Sequence, residues 1–191
     1  MDLTEKTLSS EKIYDGAIIH VRRDKVLLPN GHTSTREVVE HPGGVGILAL
    51  EADGTVLLVR QYRYAFGRTL LEIPAGKREP GEEPFVTARR ELREETGIEA
   101  APDRFELLDS ERDRNTFYDF YCLKNPVSLK EIRLQPGETD GVMWAGYGKI
   151  HWMIRRGKIC RIIARQFCRQ EKALRARNVP KMKHRFLDGL K

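Results

Sequence analysis

Between Pro84 and Gly97 the apolar residues change from the two-residue alternation of strands to the three-and-four spacing of a helix, and this switch limits the fold more than any other feature. Phe85, Ala88, Leu92 and Thr96 fall on one face, Pro84 suits the first helical turn, and Gly97 suits the position just past the end. The last turns carry Glu91, Glu94 and Glu95, with Glu91 and Glu95 four apart and pointing the same way. Carboxylates at the negative end of a helix macrodipole repel one another, an arrangement that a sequence shaped only by folding tends to avoid. A cation belongs there. Hard oxygen donors suit Mg²⁺ or Mn²⁺, and Mg²⁺ commonly shares its coordination with substrate phosphates, which points to phosphate chemistry.

Ahead of this helix the chain reads as short strands joined by tight turns. Residues 17–21, 25–28 and 33–39, with the turn signal Pro29-Asn30-Gly31, predict an antiparallel β arm. Residues 45–50 and 55–59 flank Asp53-Gly54, a pair that favours a two-residue hairpin loop, and residues 70–73 form a strand that Pro74 stops. Beyond the helix, residues 105–108, 117–123 and 141–144 read as strands, and 150–156 and 160–175 as helices. This order predicts an α/β sandwich with helices covering a mixed sheet. Its expected divisions are the arm at 1–42, a main domain at 43–177 and a basic, poorly ordered tail at 178–191.

With 191 residues, 40% of them hydrophobic, the chain can build its own core, which excludes wholesale disorder. The longest apolar run, Val45 to Leu50, is far short of the ~20 residues of a bilayer span, and residues 1–12 carry charges where a secretory signal is apolar. A cytoplasmic protein with no membrane partner is expected. Cys122, Cys160 and Cys168 are odd in number and lack C-x-x-C spacing, so neither a disulfide framework nor a zinc site is indicated. The net charge of +6 is uneven: residues 149–191 hold 14 Lys and Arg against 2 acids, leaving −6 on residues 1–148 and +12 on the rest. Nucleic acid is a partner open to this block, but no aromatic interleaving of the kind that stacks bases is read in it, which favours a solvated helix face and tail.

The stretch from Gly76 to Ile98 reads G-x5-E-x7-R-E-L-x-E-E-x-G-I, and at every fixed position it resembles the Nudix box; a chance match is on the order of 10⁻⁷. The resemblance implies a Nudix-type α/β/α sandwich and a Mg²⁺-dependent hydrolase of diphosphates, with Mn²⁺ as the alternative metal. It implies that Glu91 and Glu95 bind the metal, that Glu94 ligates it or orients water, that Glu82 supports the cluster from the loop, and that the Ala75 carbonyl is a further ligand. Arg90 fits a role in orienting the carboxylates through charge-assisted hydrogen bonds, and Gly76 and Gly81 are expected to let the loop bend. Metal ions bridging a diphosphate neutralise its charge and activate water toward phosphorus.

Residues 36–76, with Arg36-Glu37-Val38-Val39-Glu40-His41-Pro42-Gly43, Val59-Arg60-Gln61-Tyr62-Arg63 and Leu71-Glu72-Ile73-Pro74-Ala75-Gly76, resemble bacterial ADP-ribose pyrophosphatases. That implies ADP-ribose as substrate, cut to AMP and ribose 5-phosphate. It also implies an arm exchanged within a homodimer, and Arg36, Arg60 and Glu72 lining the substrate pocket, where an Arg fork can pair two phosphate oxygens. Between Ser110 and Phe117 the chain departs from this branch. Dinucleoside polyphosphates and RNA 5′ ends therefore stay open as substrates, as does a catalytically silent module that binds nucleotide or RNA. In the loop before residues 141–144, Glu138 is preferred to Asp140 as general base. Gly43 to Gly46 reads as a turn into a strand because no helix follows it. His41, His151 and His184 are expected to be structural, and Trp144 and Trp152 to lie in the core.

Overall fold

The computed structural model describes residues 2–51, 53–113, 116–124 and 131–176. The chain opens with β1 (Lys6–Asp15), β2 (His20–Leu27) and β3 (Thr33–Glu40), an antiparallel sheet in that order. Sequence patterning misses β1 because the strand is exposed along its whole length and carries no apolar alternation. Its ladder with β2, from Lys6 opposite Leu27 to Asp15 opposite His20, holds it in place.

The main sheet takes β4 (Gly44–Leu50), β5 (Val56–Arg63), β6 (Arg68–Glu72) and β7 (Ala75–Lys77) from before the helix α1 (Pro84–Thr96). After α1 come β8 (Phe105–Asp113), β9 (Thr116–Lys124) and β10 (Thr139–Ala145), then α2 (Tyr147–Arg155) and α3 (Arg161–Ala176). The order is β10-β5-β4-β9-β8, with β6 paired to β5 and β7 to β4. Among the ladders between the described strands the central β4–β9 pair alone is parallel, so the sheet is mixed.

The Asp53-Gly54 turn forms, with Asp53 accepting from the amide and hydroxyl of Thr55, but the hairpin it closes is paired only next to the turn. β4 and β5 meet only at Leu50 opposite Val56 and then part. The returning chain fills the wedge: the Pro74 carbonyl accepts from the Ile47 amide at 2.8 Å, and Ala75 lies opposite Gly46. Turn chemistry is local, whereas a strand's partners are settled by the whole sheet.

Alternation along β4 divides the core into two layers. Val45, Ile47 and Ala49 join Ala88 and Leu92 of α1, while Leu48 and Leu50 join Tyr147, Ile150 and Met153 of α2 and Ile163 and Phe167 of α3. This is an α/β sandwich. The free thiols of Cys122 and Cys160 are buried and that of Cys168 is exposed. Among the described residues no helix is long and apolar enough to cross a membrane. The tail expected at 178–191, with His184, lies outside the described residues, as do positions 114–115 of the divergent segment.

Candidate active site

Ala88 and Leu92 draw α1 onto the sheet, and the same face carries Glu95 inward, three residues beyond Leu92. Glu95 is 4% exposed, and its Oε2 accepts the Ala75 amide at 3.2 Å. Burial pushes its carboxyl up to about 8, with the nearby Glu91 adding to the effect and the Ala75 amide and Arg63 opposing it. Burial likewise raises the Glu91 carboxyl, although Arg90 acts against it.

Arg90 ties the cluster together. Its Nε and Nη2 donate to Glu82 at 3.0 Å each, its Nη1 to Glu91 at 2.8 Å and to Glu94 at 3.0 Å, and its Nη2 also to the Lys77 carbonyl at 3.1 Å. The Arg90 bonds, helped by the Thr87 hydroxyl at 2.8 Å and the Glu79 amide at 3.2 Å, hold the Glu82 carboxyl down at about 2. Gly81 lies at φ +76°, as a bent loop requires. Gly76 serves a different purpose: a Cβ there would overlap the Glu91 carboxylate, so the residue leaves room for that acid rather than supplying a bend.

Glu82, Glu91 and Glu94 thus share one arginine, while Glu95 is held by the Ala75 amide. Among the described residues no three acid, His or Cys side chains converge on a point, and Arg90 is the cation they share. The donor chemistry nevertheless fits a hard divalent cation. All the donors are oxygens, and the Glu95 carboxyl is buried and, among the described residues, accepts from the Ala75 amide alone. Burying such a group as an anion costs several kcal/mol, on the order of the cost of an uncompensated buried ion, unless a cation compensates.

Ala75 and Gly76 also form part of the wall of a cavity of about 360 Å³, lined as well by Arg63, Glu72, Tyr118 and Phe120. Arg63 clasps Glu72 with two bonds, Nε to Oε1 at 2.7 Å and Nη2 to Oε2 at 2.5 Å, and Glu72 is 3% exposed. Arg60 does not line this cavity; it pairs with Asp140 at 2.8 Å on exposed surface. Residues three apart on a strand face opposite ways, so the spacing of Arg60 and Arg63 already carries the signal that only one of them can face the cavity. Asp140 is therefore engaged, while Glu138 stands exposed in the turn before β10. Arg36 lies in the three-stranded sheet, bonded to Glu5 at 2.5 Å and to Ser34 and the Thr35 carbonyl at 2.9 Å each, away from the cavity lining. His41, which accepts the Gly43 amide at 3.0 Å, sits in the cavity wall, and His151 pairs with Glu171 at 2.8 Å.

Removing one partner of a buried pair strands the other charge. Arg63→Met is expected to lower stability by about 2 kcal/mol in urea unfolding, less than a fully buried pair because Arg63 is partly solvated. An unchanged unfolding midpoint would show that Glu72 does not depend on Arg63.

The profile of the NUDIX domain matches residues 40–160, and that of the nucleoside diphosphate sugar hydrolase N-terminal domain matches residues 5–39. An ADP-ribose pyrophosphatase of Bacillus subtilis (strain 168) is 51% identical over 98 residues, 51% of this chain and 53% of that protein. A methanol dehydrogenase activator of Bacillus methanolicus is 50% identical over 95 residues, 50% of this chain and 51% of its own. The chain spans about half the length of these curated relatives. In fold it is similar to a crystal structure of an ADP compounds hydrolase, with a TM-score of 0.70 at 16% identity, covering 93% of this chain and 98% of that one. Because the NUDIX domain match takes in well over half of the chain and contains the whole acid cluster, the protein belongs to the Nudix family.

Proposed function

We propose that this protein hydrolyses the diphosphate of a nucleoside diphosphate linked to a second moiety, with ADP-ribose the leading substrate and AMP and ribose 5-phosphate the products. The observation that carries this reading is the Ala75-Gly76 backbone, which meets the buried Glu95 and the half-buried Glu91 and also lines the cavity. Similarity to a protein named ADP-ribose pyrophosphatase supports the choice of substrate.

Glu82, Glu91, Glu94, Glu95 and the Ala75 carbonyl are the groups that would hold Mg²⁺, or Mn²⁺ in its place. Such an ion, when bound, neutralises the diphosphate and makes water a better nucleophile at neutral pH. Arg90 keeps Glu82, Glu91 and Glu94 in register. Glu95 has to give up its proton to become a ligand, so metal affinity rises with pH toward about 8. Arg63 and Glu72 orient the substrate within the cavity, and Glu138, exposed and not held by Arg60, is the candidate base.

In this reading residues 1–42 act as an arm and the active form is a homodimer, an arrangement that would bring Arg36 of one copy to the cavity of another. The exposed Leu8, Ile13 and Val39 of the arm suit such burial. Sedimentation showing a monomer at micromolar concentration would remove the dimer and with it the role of Arg36. The deciding experiment incubates nucleotide sugars, dinucleoside polyphosphates and capped RNA with Mg²⁺ and identifies products by mass. ADP-ribose is expected to turn over fastest and excess EDTA to abolish turnover; cleavage in EDTA refutes the metal assignment.

A further inference from the structure

Several arginines on this surface meet carboxylates: Arg23 with Glu37, Arg36 with Glu5, Arg60 with Asp140. The junction of α2 and α3 is different. Arg155, Arg156, Lys158 and Arg161 are all exposed there, and among the described residues none pairs with a carboxylate. Like charges gathered in one short segment repel one another, and among the described residues no ion pair relieves them.

An aromatic side chain stands among them. Trp152, expected in the core, is 43% exposed instead, with the Arg156 guanidinium 5.6 Å and the Lys158 ammonium 5.1 Å from its ring centroid. The local backbone builds this arrangement. The Arg156 amide donates to the Trp152 carbonyl at 3.1 Å, Gly157 adopts φ +63°, and the Lys158 amide turns back to the Met153 carbonyl at 2.9 Å. A residue with a Cβ is strained at that φ, so Gly157 is what lets the chain fold back and set both cations by the ring. β6 then pins the segment, with the Leu71 amide donating to the Lys158 carbonyl at 2.8 Å.

We propose that this face binds single-stranded nucleic acid, with Trp152 stacking on one base and Arg156 and Lys158 meeting adjacent phosphates. Every base offers a π-face and every linkage a negative charge, so an exposed indole among unpaired cations fits a single strand without demanding a sequence. An anionic bilayer also accepts an indole among cations, so vesicles form a separate arm of the test. The interaction is independent of hydrolysis and needs no metal.

The test measures fluorescence anisotropy of a labelled single-stranded RNA of about 12 nucleotides with the full-length protein in EDTA, over about 50 to 200 mM salt. Binding is expected to weaken with salt at a log–log slope of about −2, as for about three phosphate contacts on a single strand. Trp152→Ala is expected to weaken it about tenfold, Trp152→Phe to restore most of that loss, and the double variant R156E/K158E to remove binding at the higher salt. Circular dichroism melts confirm that each variant is folded, and the exposed double charge reversal keeps the test valid if Trp152→Ala does not fold. No binding at the lowest salt overturns the proposal. So does affinity unchanged in both Trp152→Ala and R156E/K158E, and so does capture by phosphatidylserine vesicles in place of RNA.

Discussion

Replacing Glu95 by Gln is expected to lower turnover of the proposed diphosphate substrate at least about a hundredfold, equivalent to about 2.7 kcal/mol of lost transition-state stabilisation. The substitution keeps the shape of the side chain and removes its ability to become an anion. The folded protein should tolerate it well. In the metal-free state the buried Glu95 carboxyl titrates at about 8, above its ordinary value of 4.5, so the folded form holds its proton where the unfolded chain has released it. Across that window the group makes the metal-free fold less stable as pH rises, from the ordinary carboxyl range up to about 8. A neutral amide does not carry this penalty, so E95Q should be as stable as the parent near pH 5 and more stable near pH 8. Turnover with Mg²⁺ and thermal melts in EDTA at both pH values measure the two effects. If E95Q hydrolyses substrate at the parent rate, the buried carboxylate has no part in the chemistry.

The second large effect is expected from one methyl group. In Gly76→Ala the new Cβ collides with the Glu91 carboxylate, the far end of a flexible side chain that can swing aside while the backbone stays in place. The cost to stability should therefore be about 1 kcal/mol or less, smaller than typical overpacking of a rigid core. Function should suffer far more, because Glu91 is driven from its 2.8 Å bond with Arg90 and from the Ala75-Gly76 backbone. Displacing a reacting group by about 1 Å can cost a hundredfold, and a loss of about ten- to a hundredfold in kcat is expected with the melting temperature nearly unchanged. A large fall in melting temperature together with normal kcat per folded molecule would mean that the backbone moves instead and that Gly76 serves the fold.

How far the fold is legible in the sequence depends on whether the physics at each position is local. α1 is readable to its ends, since a Pro at its start, a Gly past its end and apolar residues at three-and-four spacing are all near neighbours in sequence. β1 is invisible because an exposed strand has no apolar pattern to show. The β4–β5 hairpin is overread, because a good turn does not decide which strands the rest of the sheet places alongside each half. Trp152 is misplaced because an indole's hydrophobicity says nothing of which side of its helix faces solvent.

The acids of the helix and their spacing are determined by the sequence alone, because residues four apart on a helix share a face whatever surrounds them. What those acids meet is decided only by tertiary structure. The Ala75 amide on Glu95, the room that Gly76 leaves for Glu91 and the choice of Arg63 over Arg60 for the cavity all arise from strands closing on α1. Burial depends on that closure, and burial is what raises the Glu95 carboxyl and makes Glu72 depend on its arginine.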